Sequence, residues 1–217
     1  SNLVNRYKIL VPGVFHRSTV RNIENLQWYG LFKTDSGCVL EPVQIKPKSC
    51  PVPLHARPDD TNWVSITVEQ TLEPVFLVGS TNRFQSGPIT TYFTGNRSIQ
   101  AGQLISLGGY YLTALGLITD AGWRHPGDLP TFDYRVLLFK YPFSKDDRQM
   151  LIQHGSAAAE GTPSLLWAGD IDRDGQIDLL LDISNHYAAS DYVLFLSSEA
   201  DTDELVKPVA KLHIPGC

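Results

Sequence analysis

Four aspartates, Asp170, Asp172, Asp174 and Asp178, recur within Gly-Asp-Ile-Asp-Arg-Asp-Gly-Gln-Ile-Asp, residues 169–178. Carboxylates this close repel one another unless a cation lies between them. They fall at the first, third, fifth and ninth places of a calcium loop. Gly175 sits sixth, where the chain turns too sharply for a side chain. Gln176, at the seventh place, would offer its backbone carbonyl. The expected metal set is therefore Asp170, Asp172, Asp174, Gln176 and Asp178 around Ca2+, a hard cation that takes about six to eight oxygens at flexible geometry. Mg2+ demands stricter octahedral geometry and fits this ligand count less well.

The loop is not an EF-hand. An EF-hand closes with a bidentate Glu at its last place and lies between helices, whereas that place here is Leu181, so Asp178 must supply the closing carboxylate. The flanks are Ser-Leu-Leu-Trp-Ala and Asp-Leu-Leu-Leu-Asp, apolar runs of strand length. Gly-Asp-x-Asp-x-Asp-Gly-x-x-Asp-Leu resembles the calcium loop of FG-GAP and VCBS-type repeats, over roughly residues 164–198. The resemblance implies a loop that ties neighbouring strands together in a secreted, periplasmic or cell-surface protein, with the ion in a structural role. Such repeats often build propellers, but the motif occurs once here, and a propeller needs its blade to recur.

Other groupings carry less chemistry. Ser184, His186, Ser190 and Asp191 compose a triad on paper, yet no Gly-x-Ser-x-Gly frames a serine. Hydrogen bonding of Asn185 and His186 to nearby backbone, or an outer shell for the metal, is the plainer reading. The histidines His16, His55, His125, His154, His186 and His213 are dispersed, without His-x-His or His-Glu-x-x-His. Asp133, Asp146, Asp147, Glu160 and Glu199 make no acid–base pair by spacing. Gly108-Gly109 lacks the surroundings of a phosphate loop. The sequence thus leaves enzymatic activity open. It favours a non-enzymatic, calcium-stabilised binding or surface module whose partner is an extracellular protein or glycan. The alternative is an extracellular hydrolase of polysaccharide or a similar substrate, with calcium as a structural ion.

Composition sets the outer limits. The 217 residues are 42% hydrophobic and 19% charged, enough for a sizeable core. A net charge of -5 disfavours a nucleic-acid surface. No apolar run reaches the ~18 residues of a membrane helix. Ser1-Asn2 reads as a tag remnant ahead of a mature N-terminus. Cys38, Cys50 and Cys217 leave open a Cys38–Cys50 bridge, a bridge from Cys217 to either of the others, or three thiols.

The elements that must position the loop read as strands. With 14 Pro, 17 Gly and repeated turn signals, the chain is expected to be mainly β, with antiparallel sheets in a sandwich-like or two-sheet packing and one or two short helices. One helix is expected over 14–27, on the spacing of Val14, Val20, Ile23 and Leu26. Residues 46–62 read as a long loop, and 101–118 as strand, turn at Gly108-Gly109, strand. Residues 134–212 read as one antiparallel meander with the metal loop at its edge or tip. A boundary in the 120–131 loop would give parts 1–122 and 123–217, unless the domain is continuous. Trp28 and Tyr29 read as core more than as a ligand face.

Overall fold

A computed structural model describes residues 6–54, 56–118, 131–144, 147–157, 161–185 and 188–215. Of the described residues, 58% are strand and 1% helix. Among the described residues sixteen strands of four to twelve residues form, most from alternating or doubly apolar segments punctuated by Gly, Pro and Asp. The first eight are β1 (Tyr7–Leu10), β2 (Gly13–His16), β3 (Gln27–Thr34), β4 (Gly37–Pro42), β5 (Lys46–Ser49), β6 (Trp63–Thr67), β7 (Phe76–Ser80) and β8 (Gly87–Ser98). The second eight are β9 (Leu104–Leu107), β10 (Tyr110–Ile118), β11 (Thr131–Lys140), β12 (Arg148–Ala157), β13 (Ser164–Asp170), β14 (Asp178–Asp182), β15 (Ala189–Leu196) and β16 (Lys207–Pro215).

All strand pairings within the sheets are antiparallel. A nearly closed nine-stranded sheet has the order β1-β7-β3-β4-β8-β13-β14-β15-β16. A four-stranded sheet runs β12-β11-β10-β9, and a three-stranded one β2-β6-β5. The nine-stranded sheet draws strands from both sides of residue 122, joined where β8 pairs with β13.

Two apolar clusters divide the core, and β13 to β15 feed both. Trp167, Leu180, Leu194 and Leu196 pack into the cluster made with β1, β3, β4 and β7. Leu165, Leu179, Leu181, Val193 and Phe195 pack into the second cluster, with Leu112, Val136 and Leu138 of the four-stranded sheet. Successive strand residues point to opposite faces, so a strand buried on both faces needs an unbroken apolar run. The Leu-Leu-Leu of β14 and the Val-Leu-Phe-Leu of β15 therefore follow from two cores, one on each side. At ~25 cal/mol per Å2 of apolar surface removed from water, burial of each such leucine stabilises the fold by about 2 kcal/mol.

Several expectations need correction. No helix forms over 14–27: Gly13–His16 is strand, and turns follow, with Asn22 at φ 57. Of the four positions that suggested the helix, only Val20 and Ile23 are deeply buried, and Val14 is exposed, too few to give a helix a core-facing stripe. Residues 46–62 contain a strand, β5, despite its fully exposed Lys-Pro-Lys-Ser. Residues 134–212 are not one sheet, because β11 and β12 join β10 and β9 while β13 to β16 extend the larger sheet. Cys38 and Cys50 are both free thiols, Cys38 buried in β4 facing Ile89 of β8, and Cys217 lies outside the described residues. The 120–131 loop lies outside them too, except for Thr131. Trp28 and Tyr29 are core, with Trp28 Nε1 donating to the Ile23 carbonyl at 2.8 Å. Among the described residues no helix is long and apolar enough to cross a membrane.

Candidate metal centre

The aspartate loop connects β13 to β14, two strands buried on both faces. Gly169 and Asp178 are register partners, so the loop springs from a fixed base. Two isoleucines pin it. Ile171 is fully buried in one core and Ile177 in the other. Gly175 adopts φ 80 and Arg173 φ 63, left-handed positions that reverse the chain between these anchors. Arg173 offsets its strained backbone by donating to the Ser86 carbonyl at 2.9 Å.

With the backbone so folded, Asp170, Asp172 and Asp174 converge. Their carboxylate oxygens lie within 4.8 Å of one another, and the three form a group that could hold a metal ion. Asp170 accepts the backbone N–H of Asp174 at 3.1 Å and of Gly175 at 2.9 Å. Asp174 accepts the N–H of Gln176 at 2.7 Å and the Ser197 hydroxyl at 2.9 Å. Asp172 accepts the Ser198 hydroxyl on Oδ2. Its Oδ1 is buried and has no hydrogen-bond partner. A buried carboxylate oxygen left unpaired is costly, and beside two further carboxylates it is the donor expected of a cation site.

Asp178 is placed differently. It is fully buried and lies outside the three-residue group. Its Oδ2 accepts the Ile171 N–H at 2.8 Å, and its Oδ1 accepts the Ser197 N–H at 2.9 Å and the Ser197 hydroxyl at 3.1 Å. Oδ1 thus accepts two hydrogen bonds, whereas Oδ2 accepts one and keeps a second lone pair with which it could face a cation. Burial, and then the nearby charge of Asp172, push its pKa well above the ordinary carboxylate range, against the pull of those N–H and O–H donors. Burial also raises Asp172, with the Ser198 hydroxyl opposing and the neighbouring Asp174 and Asp170 adding to the rise. The loop without a cation is thus a place where carboxylates resist ionisation.

Gln176 meets the second sheet through its side chain. Its Oε1 accepts Tyr110 OH at 2.6 Å and Lys140 Nζ at 3.0 Å. Sequence reasoning missed these partners, along with Ser197 and Ser198. Nothing in spacing marks them: the serines merely end an apolar strand, and Tyr110 and Lys140 come from another sheet.

Among the described residues the other candidate groups do not assemble with the loop. His186 lies outside the described residues, as do His55 and His125. Asp191 turns to β16, where His213 Nδ1 lies 2.9 Å and Lys211 Nζ 3.3 Å from its Oδ1. Among the described residues no serine or cysteine is hydrogen-bonded to His213. Ser184 caps Asp182, its hydroxyl 2.8 Å from Oδ1.

The chain matches no family model, no curated protein and no solved structure.

Proposed function

We propose that residues 170–178 hold a calcium ion and that the ion is structural. On this reading Asp170, Asp172 and Asp174 bind it directly, and the Gln176 carbonyl and Asp178 complete the oxygen shell. The observation that carries the reading is the unpartnered, buried Asp172 Oδ1 within a cluster of three carboxylates. An all-oxygen set on a turn with left-handed joints suits the larger, more tolerant cation better than Mg2+. The ion would neutralise charges that otherwise resist ionisation, and would couple its binding free energy to the joint of β13, β14 and β15.

The protein is then a calcium-stabilised, non-enzymatic binding or surface module, working where calcium is plentiful: secreted, periplasmic or on the cell surface. The kinship of the loop with FG-GAP and VCBS-type repeats belongs to the same proposal, and so does a partner that is an extracellular protein or glycan. Calorimetric titration of CaCl2 into chelator-treated protein tests the site. One ion should bind with a dissociation constant between about 1 μM and 1 mM, and Asp172→Asn should weaken it at least tenfold. Absence of binding at about 5 mM calcium, well above that range, would sink the proposal.

A further inference from the structure

The four-stranded sheet has one face in the core and one bare. Inward, Leu112, Val136 and Leu138 are fully buried. Outward, the cross-strand row Leu104–Thr113–Leu137–Met150 spans all four strands. A half-exposed antiparallel sheet normally carries polar residues on its solvent side. This one does not. Of the eleven large apolar side chains exposed among the described residues, seven lie on this face or its rim, between 42% and 65% exposed. They run from Leu117 and Phe132 at one end to Tyr141 and Phe143 at the other. Phe143 packs its edge on Phe139 and on Tyr141, with centroids 6.0 and 5.8 Å apart, and so extends the face beyond the strand ends.

The area decides what such a face is for. Taking ~200 Å2 for a fully exposed side chain of this size, the seven present roughly 800 Å2 of apolar surface. A monomer seldom leaves more than about 300–600 Å2 bare in one patch. About 800 Å2 per partner is what a stable interface of standard size requires. Charge does not oppose pairing of two such faces. Arg135, the one charged residue in the interior of the face, is neutralised by Asp133 at 2.7 Å. Arg148 stands on the edge strand, opposite Phe139.

We infer that the chain forms a homodimer in which the outer faces of two four-stranded sheets pack against each other about a twofold axis. Face-to-face sheet packing at about 10 Å is the arrangement that buries a broad, flat apolar face, and a twofold axis brings identical patches together. The aspartate loop, on the β13–β14 turn, meets the four-stranded sheet through Gln176, bonded to Tyr110 and Lys140, and supplies none of the seven exposed apolar side chains.

Sedimentation equilibrium of the full chain between about 1 and 500 μM in calcium-containing buffer tests the inference, because an interface of this size should hold at micromolar concentration or below. The wild-type chain should be a reversible dimer. Met150→Lys and Leu104→Lys should each raise the dissociation constant at least about 100-fold, since each places two charges per dimer in an apolar contact. Leu72→Lys, at an exposed leucine elsewhere, should leave it unchanged. Circular dichroism confirms that each variant is folded, and either face variant suffices if the other is not. A wild-type monomer throughout the range overturns the inference. So does a dimer that neither face variant weakens, or that Leu72→Lys weakens equally.

Discussion

Two hairpins sit side by side in this molecule and turn by opposite means. Between β9 and β10 the turn is two glycines, Gly108 at φ 61 and Gly109 at φ 96. Both central positions are left-handed, as the tight primed turn requires, and the hairpin closes on backbone freedom alone. Between β13 and β14 the turn is longer and concentrates aspartate. It needs buried isoleucines on both sides, the serines Ser197 and Ser198 just after β15, and, on our reading, an ion. The first turn is self-sufficient because it carries no charge. The second gathers like charges where water is scarce, so its stability depends on what neutralises them. They touch through Tyr110 OH and Gln176 Oε1 at 2.6 Å.

The sharpest way to break the comparison is Asp178→Ala. It strands the buried N–H of Ile171 and the donors of Ser197. A cost of about 3–4 kcal/mol is expected, lowering the melting temperature by roughly 10 °C and abolishing its response to calcium. Next in size is removal of the ion. At calcium about 100-fold above its dissociation constant, chelation should cost about 2.7 kcal/mol of unfolding free energy. An unchanged melting temperature in chelator would mean that the loop stands without a metal.

Gly109→Ala probes the other hairpin, since nothing lies within 4 Å of the added Cβ and only the left-handed backbone objects. We expect about 1–2 kcal/mol, equal in calcium and in chelator. A calcium-dependent penalty would show that the two turns are one unit. Gln176→Ala, which removes the link between them, should cost about 1 kcal/mol, read by thermal melting.

The smallest effect concerns pH. In the chelated protein the folded-state pKa values of Asp178 and Asp172 are raised, chiefly by burial. Between the unfolded value of about 3.9 and those raised values the folded state binds more protons, so stability falls as pH rises. Melting of the chelated protein should therefore improve on acidification from about pH 7 to pH 5, while calcium-loaded protein should lose its advantage as protons displace the ion. Melting curves in both buffers at each pH decide it.

What the sequence disclosed follows the same division. The apolar runs flanking the aspartate loop, now β13 and β14, were legible as strands because burial leaves a pattern. The Gly108-Gly109 turn was legible because few residues tolerate its backbone. Lys46–Ser49 was not, since a fully exposed edge strand has no apolar signal and its partner lies across a loop. The split of 134–212 between two sheets was hidden because alternation shows that a strand is buried, not which neighbour it meets. At the candidate metal centre the aspartates declared themselves by spacing. Ser197, Ser198, Tyr110 and Lys140 did not, because they reach the loop only through the fold.

A structure of the protein grown in calcium tests the central claim most directly. The account predicts one ion about 2.3–2.6 Å from oxygens of Asp170, Asp172 and Asp174, with Asp172 Oδ1 among them. Finding Asp172 Oδ1 paired with water or protein, and no ion between the three carboxylates, would contradict it.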